Sequence, residues 1–116
     1  MKVDKPWGHE IRWAINKKYL GKVLYIKAGR RLSKQYHKVK DETIYVLNGV
    51  LVLELGRGTD EEPVDVKVLK EGESHRITPN TIHRFRAPLS SSVRLIEVST
   101  PEIDDVVRLE DDYGRA

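Results

Sequence analysis

Asn48-Gly49 stands between two apolar runs, 44–47 and 50–55, dominated by Ile, Val and Leu. Runs of this length and composition form strands, and Asn-Gly offers the positive-φ positions of a two-residue hairpin turn. The pair therefore predicts a tight hairpin. Similar runs recur along the chain. Residues 23–27 and 64–69 alternate with period two, and short strand patterns stand at 75–78, 83–87 and 93–98. Loops read at 56–63 and 89–92. No amphipathic run exceeds about three helical turns. Many short strands punctuated by turns imply an all-β antiparallel sandwich or barrel. The tail departs from this pattern: Thr100 as N-cap, Pro101 at the first helical position and Glu102 in the first turn predict a short helix or turn.

With 116 residues the chain has room for one domain and one core. Its 39% hydrophobic and 34% charged residues exclude a disordered chain. The net charge of +3 is dispersed, and the only basic clusters are Lys17-Lys18 and Arg30-Arg31. Nucleic-acid binders gather such residues into a stripe, so no nucleic-acid partner is expected. The absence of cysteine excludes disulfides, thiolate metal sites and a Cys nucleophile, and fits a reducing compartment. Residues 1–10 contain no apolar signal region, and no run approaches membrane-spanning length. The expectation is a cytoplasmic protein with no membrane partner.

Gln35, His37, Glu42 and His83 are the residues through which chemistry is read. Gln35 and His37, two apart, project to one face of a strand. Two imidazoles, a carboxylate and an amide oxygen form a mixed N/O set suited to one divalent ion among Zn, Mn, Co, Ni and Fe, with positions left for a substrate oxygen. A lone histidine reads more economically as a surface or core residue, and His9 and His75 are taken as surface positions. The spacing sets His37 and His83 apart. Gly29, five residues, Gln35-x-His37, four residues, Glu42, six residues and Gly49 fit the first cupin motif, with Gln35 in place of its first His. A looser second motif runs from Gly72 to His83, with Asn80 at the usual Gly and Ala87 at the usual terminal Asn.

The resemblance narrows further along the chain. Lys5-Pro-Trp-Gly8, the segment from Leu32 to Glu42, His83-Arg84, Ile96-Glu97-Val98 and the closing stretch from Asp104 to Arg115 occur in that order. Together they resemble the C-terminal cupin domain of type II mannose-6-phosphate isomerases. The likeness covers nearly the whole chain, with Lys5 and Lys40 where the family usually has Arg and Ile44 where it has an aromatic residue. It implies a double-stranded β-helix, the cupin jelly roll, over 1–116: an N-terminal segment 1–19 packing on the barrel, a barrel core 20–99 and a tail 100–116. It implies a divalent metal on Gln35, His37, Glu42 and His83, and interconversion of mannose 6-phosphate and fructose 6-phosphate.

Such an isomerase moves a proton between C1 and C2 while negative charge develops on O1 and O2. Lys40 and Glu97 are the candidate acid/base groups. Lys40 is read either as a solvated loop charge or as an inward ammonium with a lowered pKa. Glu97 shares its face with Val93 and Leu95, so it is a catalytic group or half of an internal ion pair, the pair being the plainer reading. For the phosphate, Ser33 and Arg108 rank above Arg30 and Arg31. Asp111, Asp112 and Arg115 read as structural salt bridges. The small barrel with outward apolar strands is expected to pair as a two-fold homodimer. Two alternatives share the same fold: a metal-containing cupin that binds a sugar or other polar ligand without turnover, and a metal-dependent dioxygenase.

Overall fold

The computed structural model describes residues 1–56 and 64–115. The loop expected at 56–63 lies, apart from Gly56, outside these residues. The described residues form eleven strands and no helix: β1 (Lys2–Lys5), β2 (Gly8–Ile15), β3 (Leu20–Ile26), β4 (Lys34–Tyr36), β5 (Glu42–Asn48), β6 (Leu51–Gly56), β7 (Asp65–Leu69), β8 (Ser74–Ile77), β9 (Ile82–Arg86), β10 (Val93–Ser99) and β11 (Val107–Glu110). They build two antiparallel sheets, one ordered β1-β2-β3-β10-β5-β8 and the other β11-β4-β9-β6-β7. This is the jelly roll. Residues 1–19 are part of it, because β1 and β2 extend the six-stranded sheet beyond β3.

Alternation along each strand fills the space between the sheets. Leu24 and Ile26 of β3, Ile44 and Val46 of β5 and Val93 and Leu95 of β10 face Leu51 and Leu53 of β6 and Phe85 of β9. Along three neighbouring strands of the six-stranded sheet the same inward phase then turns polar. β3 buries Lys22, β10 buries Glu97 and Ser99, and β5 buries Glu42. Lys22 lies opposite Glu97, and Ser99 opposite Glu42. The sandwich thus has an apolar closed end and a charged end, which positions the site.

One local expectation is corrected and a second, the short helix or turn of the tail, resolves to its turn alternative. Asn48-Gly49 does not close a hairpin. β5 pairs with β10 and β8, whereas β6 pairs with β7 and β9 in the other sheet. Both edges of β5 are already occupied, so the turn carries the chain across the sandwich. Only Gly49 has positive φ (83°), and a Cβ there would stand 2.5 Å from the Ser92 carbonyl oxygen. The tail forms a turn at 103–104 and then β11, with no helix. Thr100 caps no helix. Its Oγ1 accepts the Asp41 N–H at 3.0 Å while its own N–H donates to the Asp41 carbonyl. These bonds tie the end of β10 to the loop before β5.

Candidate metal centre

His83 and Gln35 lie directly opposite each other where β9 pairs with β4, and His37 follows β4 at once. Glu42 opens β5 on the facing sheet. His37 Nε2 and His83 Nε2 each lie 3.3 Å from Glu42 Oε1. The ligand atoms of His37, Glu42 and His83 all fall within 4.8 Å of one another, a group that could hold a metal ion. The other face of each ring is fixed. His37 Nδ1 is bonded to the Asp105 carbonyl and His83 Nδ1 to the Thr81 carbonyl at 2.9 Å. Each Nδ1 donates to its carbonyl, which leaves each Nε2 lone pair aimed at the shared point, the outer support that metal-bound histidines use. Gln35 and Ser33 line one cavity with His37 and Glu42, and the Ser33 hydroxyl donates to Gln35 Oε1 at 3.4 Å.

A metal fits this set on an observation of the protein itself. Both Glu42 carboxylate oxygens and His83 Nε2 are buried without a hydrogen-bond partner. Orphaned buried polar atoms are costly, and three converging on one point are satisfied together by a cation. Burial pushes the Glu42 carboxyl up, but His37, His83 and Lys40 outweigh it and hold it well below the ordinary range.

Asp105, which the sequence did not single out, shapes the loop between His37 and Glu42. Its carboxylate accepts the backbone N–H groups of Lys38, Val39 and Lys40 at 3.0, 2.8 and 2.9 Å. These bonds depress its pKa to about 2. Asn80, which stands at the usual Gly of the second motif, takes the left-handed conformation at φ 65° and donates its N–H to the His37 carbonyl at 2.7 Å.

The Asp105 anchor turns Lys40 inward ahead of β5. Lys40 is buried, so the solvated reading is set aside. Its Nζ donates to Glu97 Oε2 at 3.0 Å and lies 3.5 Å from Glu42 Oε2. The expected lowering of its pKa is also corrected: burial acts downward, but the Glu97 and Glu42 carboxylates prevail and raise it. Glu97 is half of an internal ion pair, and its carboxyl is pushed up to about 7 by burial and by Glu42, against Lys40 and Lys22.

These groups line a cavity of about 300 Å3 that also meets Arg108, whose register neighbour is Gln35. Arg31 is engaged elsewhere, bidentate to Asp112 at 2.6 and 2.8 Å, and Arg30 donates to the Pro6 carbonyl. Asp111 accepts the Arg115 guanidinium at 2.9 and 3.0 Å, as a structural bridge. His9 and His75 are half-buried and lie outside the cavity wall. Glu10, Arg12 and Lys22 on that wall were not anticipated. The available signal was phase, because Lys22 alternates in step with Leu20 and Leu24.

Comparison with known proteins decides the family. The family model described as mannose-6-phosphate isomerase C-terminal matches residues 1–111. The chain belongs to this family. Among curated relatives, the xanthan biosynthesis protein XanB of Xanthomonas campestris is 33% identical over 98% of this chain and 24% of its own length. The mannose-1-phosphate guanylyltransferase ManC of Salmonella typhimurium is 34% identical over 97% of this chain and 23% of its own. The chain thus spans about a quarter of the length of these relatives. Solved structures agree on the cupin fold. KdgF from Halomonas sp. superposes with a TM-score of 0.75 at 18% identity, covering 90% of this chain and 88% of that one. An RmlC-like cupin from Shewanella frigidimarina gives 0.73 at 18%, over 90% and 86%. No helix of the described residues is long and apolar enough to cross a membrane.

Proposed function

We propose that the chain is a metal-dependent aldose–ketose isomerase that converts mannose 6-phosphate to fructose 6-phosphate in the cytoplasm. The supporting observation is the Lys40–Glu97 pair, buried and set directly beside Glu42. Gln35, His37, Glu42 and His83 would hold the divalent ion, which would supply Lewis-acid stabilisation of the negative charge that develops on O1 and O2. Glu97 takes the proton from one sugar carbon and returns it to the other. Lys40 remains an ammonium, hydrogen-bonded to Glu97, and orients that carboxylate toward the substrate. Arg108, next to Gln35, and Ser33 donate to sugar oxygens at the reacting end. The Ile44, Leu24 and Phe85 side chains below keep bulk water from the carbanionic centre.

The family assignment and the relatives named for mannose-1-phosphate guanylyltransferase support a substrate from mannose metabolism. Two copies pair through the outer face of the six-stranded sheet, where Ile11, Trp13, Tyr45 and Val98 are exposed. A light-scattering mass near twice 13.4 kDa is expected. The activity is tested by supplying metal-loaded protein with mannose 6-phosphate and following fructose 6-phosphate, with oxygen uptake in parallel. Ketose formation without oxygen uptake is the expected result. Tight sugar-phosphate binding without turnover makes the chain a binding module, and oxygen consumption makes it an oxygenase.

A further inference from the structure

We propose that the β1–β3 end of the cavity is a phosphate-monoester subsite formed by Lys5, Arg12 and Lys22 around Glu10. The proposal rests on the cavity being a sugar-phosphate site and adds where the phosphate is held. Lys22 and Glu10 are buried, and Arg12 and Lys5 are half-buried on the same wall. One carboxylate serves all three cations. Glu10 Oε1 takes Arg12 at 2.8 Å through Nη2 and 2.9 Å through Nε, and lies 4.0 Å from Lys5 Nζ. Glu10 Oε2 takes Lys22 Nζ at 3.3 Å. Three positive charges against one negative leave a surplus of about two, which matches the charge of a phosphate monoester near neutral pH.

Other groups on the wall relieve the surplus only in part, Glu97 by its attraction for Lys22. Glu97, opposite Lys22 on β10, is paired with Lys40. Arg115 is consumed by Asp111, and Asp104 lies exposed at the tail side. The Lys5 ammonium is held below its usual range chiefly by burial, with repulsion from Lys22, Arg12 and Arg115 added against the attraction of Glu10. Cations crowded together out of water are a binding site for a polyanion, which returns the favourable field that burial removed.

Position supports the same assignment. In the six-stranded sheet, β2 stands three strands from β5, roughly 14 Å at the usual strand spacing. Long side chains from β1, β2 and β3 line the same cavity as Glu42. In a hexose 6-phosphate the phosphate hangs at the opposite end of the carbon chain from C1 and C2. A sugar with C1 and C2 at the Glu42 end therefore delivers its phosphate to Lys5, Arg12 and Lys22. Arg108, beside Gln35, is at the wrong end for it.

The test measures binding of inorganic phosphate, mannose 6-phosphate, mannose and glucuronate to metal-loaded wild type, Lys5→Gln, Lys5→Arg and Lys22→Met. Lys5 has the longest contact to Glu10, so Lys5→Gln keeps the fold even if Lys22→Met does not. Lys5→Gln should weaken phosphate and mannose 6-phosphate about tenfold or more, with metal content and mannose binding unchanged, and Lys5→Arg should restore both. Unchanged phosphate affinity in Lys5→Gln, no phosphate binding by wild type, or tighter binding of glucuronate than of mannose 6-phosphate overturns the subsite. If wild type isomerises mannose 6-phosphate with a KM that Lys5→Gln leaves alone, the subsite is wrong and the isomerase reading stands. If phosphate binds in a Lys5-dependent way without turnover, the subsite stands and the isomerase reading falls.

Discussion

Glu42 is a buried carboxylate with the Lys40 ammonium 3.5 Å from its Oε2 and no hydrogen-bond partner on either oxygen, a placement that calls for a cation of its own. Replacing His83 by Ala removes one of the two imidazoles aimed at it. Metal content measured by plasma emission should fall together with activity, while the far-ultraviolet circular dichroism stays that of a β-protein, since the apolar strands still bury the core. Lys40→Met should act differently. Metal remains, but turnover falls by about 10²-fold or more, and loss of one partner of the buried pair costs about 3–5 kcal/mol in urea unfolding. Adding Glu97→Leu should recover most of that stability and none of the activity. Unchanged turnover in Lys40→Met would remove the pair from the mechanism. At this scale the sequence was informative where spacing carries meaning: His37, Glu42 and His83 come within 4.8 Å of one another, and Gln35 stands opposite His83 on the paired strand. Glu97 stood out because a carboxylate interrupts an apolar phase. Asp105 was illegible, because its three partners lie more than 60 residues away and nothing local marks it.

The loop 37–41 is the element on which the centre depends. It carries one proposed ligand at its start and Lys40 within it, and it is held by Asp105 and by the exchange between Asp41 and Thr100. Asp105→Ala should cost about 1.5–3 kcal/mol through lost charge-assisted hydrogen bonds, and should also weaken metal binding. The acid limb of stability follows from the same group. Asp105 and Asp111 have folded pKa values of about 2, against 3.8 for an unperturbed Asp. Their stabilisation is complete above pH 4 and is lost as pH falls toward 2. Melting temperature should therefore decline steeply between pH 4 and 2 in wild type and less steeply in Asp105→Ala. Equal slopes would contradict this. Strand existence was legible from period-two patterning, and β8, β9 and β10 fall within a residue or two of the expected runs. Pairing was not. Asn48-Gly49 looks like a hairpin from its own residues, and only the competition of β10 and β8 for the edges of β5 makes it a crossover. Gly49→Ala should still cost about 1–3 kcal/mol, because the positive φ and the Ser92 carbonyl both oppose a side chain.

Across the whole molecule, the two sheets sort their inward residues into an apolar floor and a charged mouth. On the proposed function, that division would give a sugar phosphate a metal-binding end, Glu97 with its Lys40 partner in the middle and a cationic end. The Lys5, Arg12 and Lys22 end was hidden in the sequence because its residues come from three separate strands, and the phase of Lys22 alone does not reveal the other two. Only the closing of β1 and β2 onto β3 brings them together. The most direct measurement of the central claim follows the C2 proton. Metal-loaded protein is given mannose 6-phosphate in deuterated water and watched by proton NMR. The account predicts fructose 6-phosphate signals together with exchange of solvent deuterium into the C1/C2 positions, both abolished in His83→Ala. Fully metal-loaded, folded wild-type protein that leaves mannose 6-phosphate unchanged, with its C2 proton intact, would contradict it.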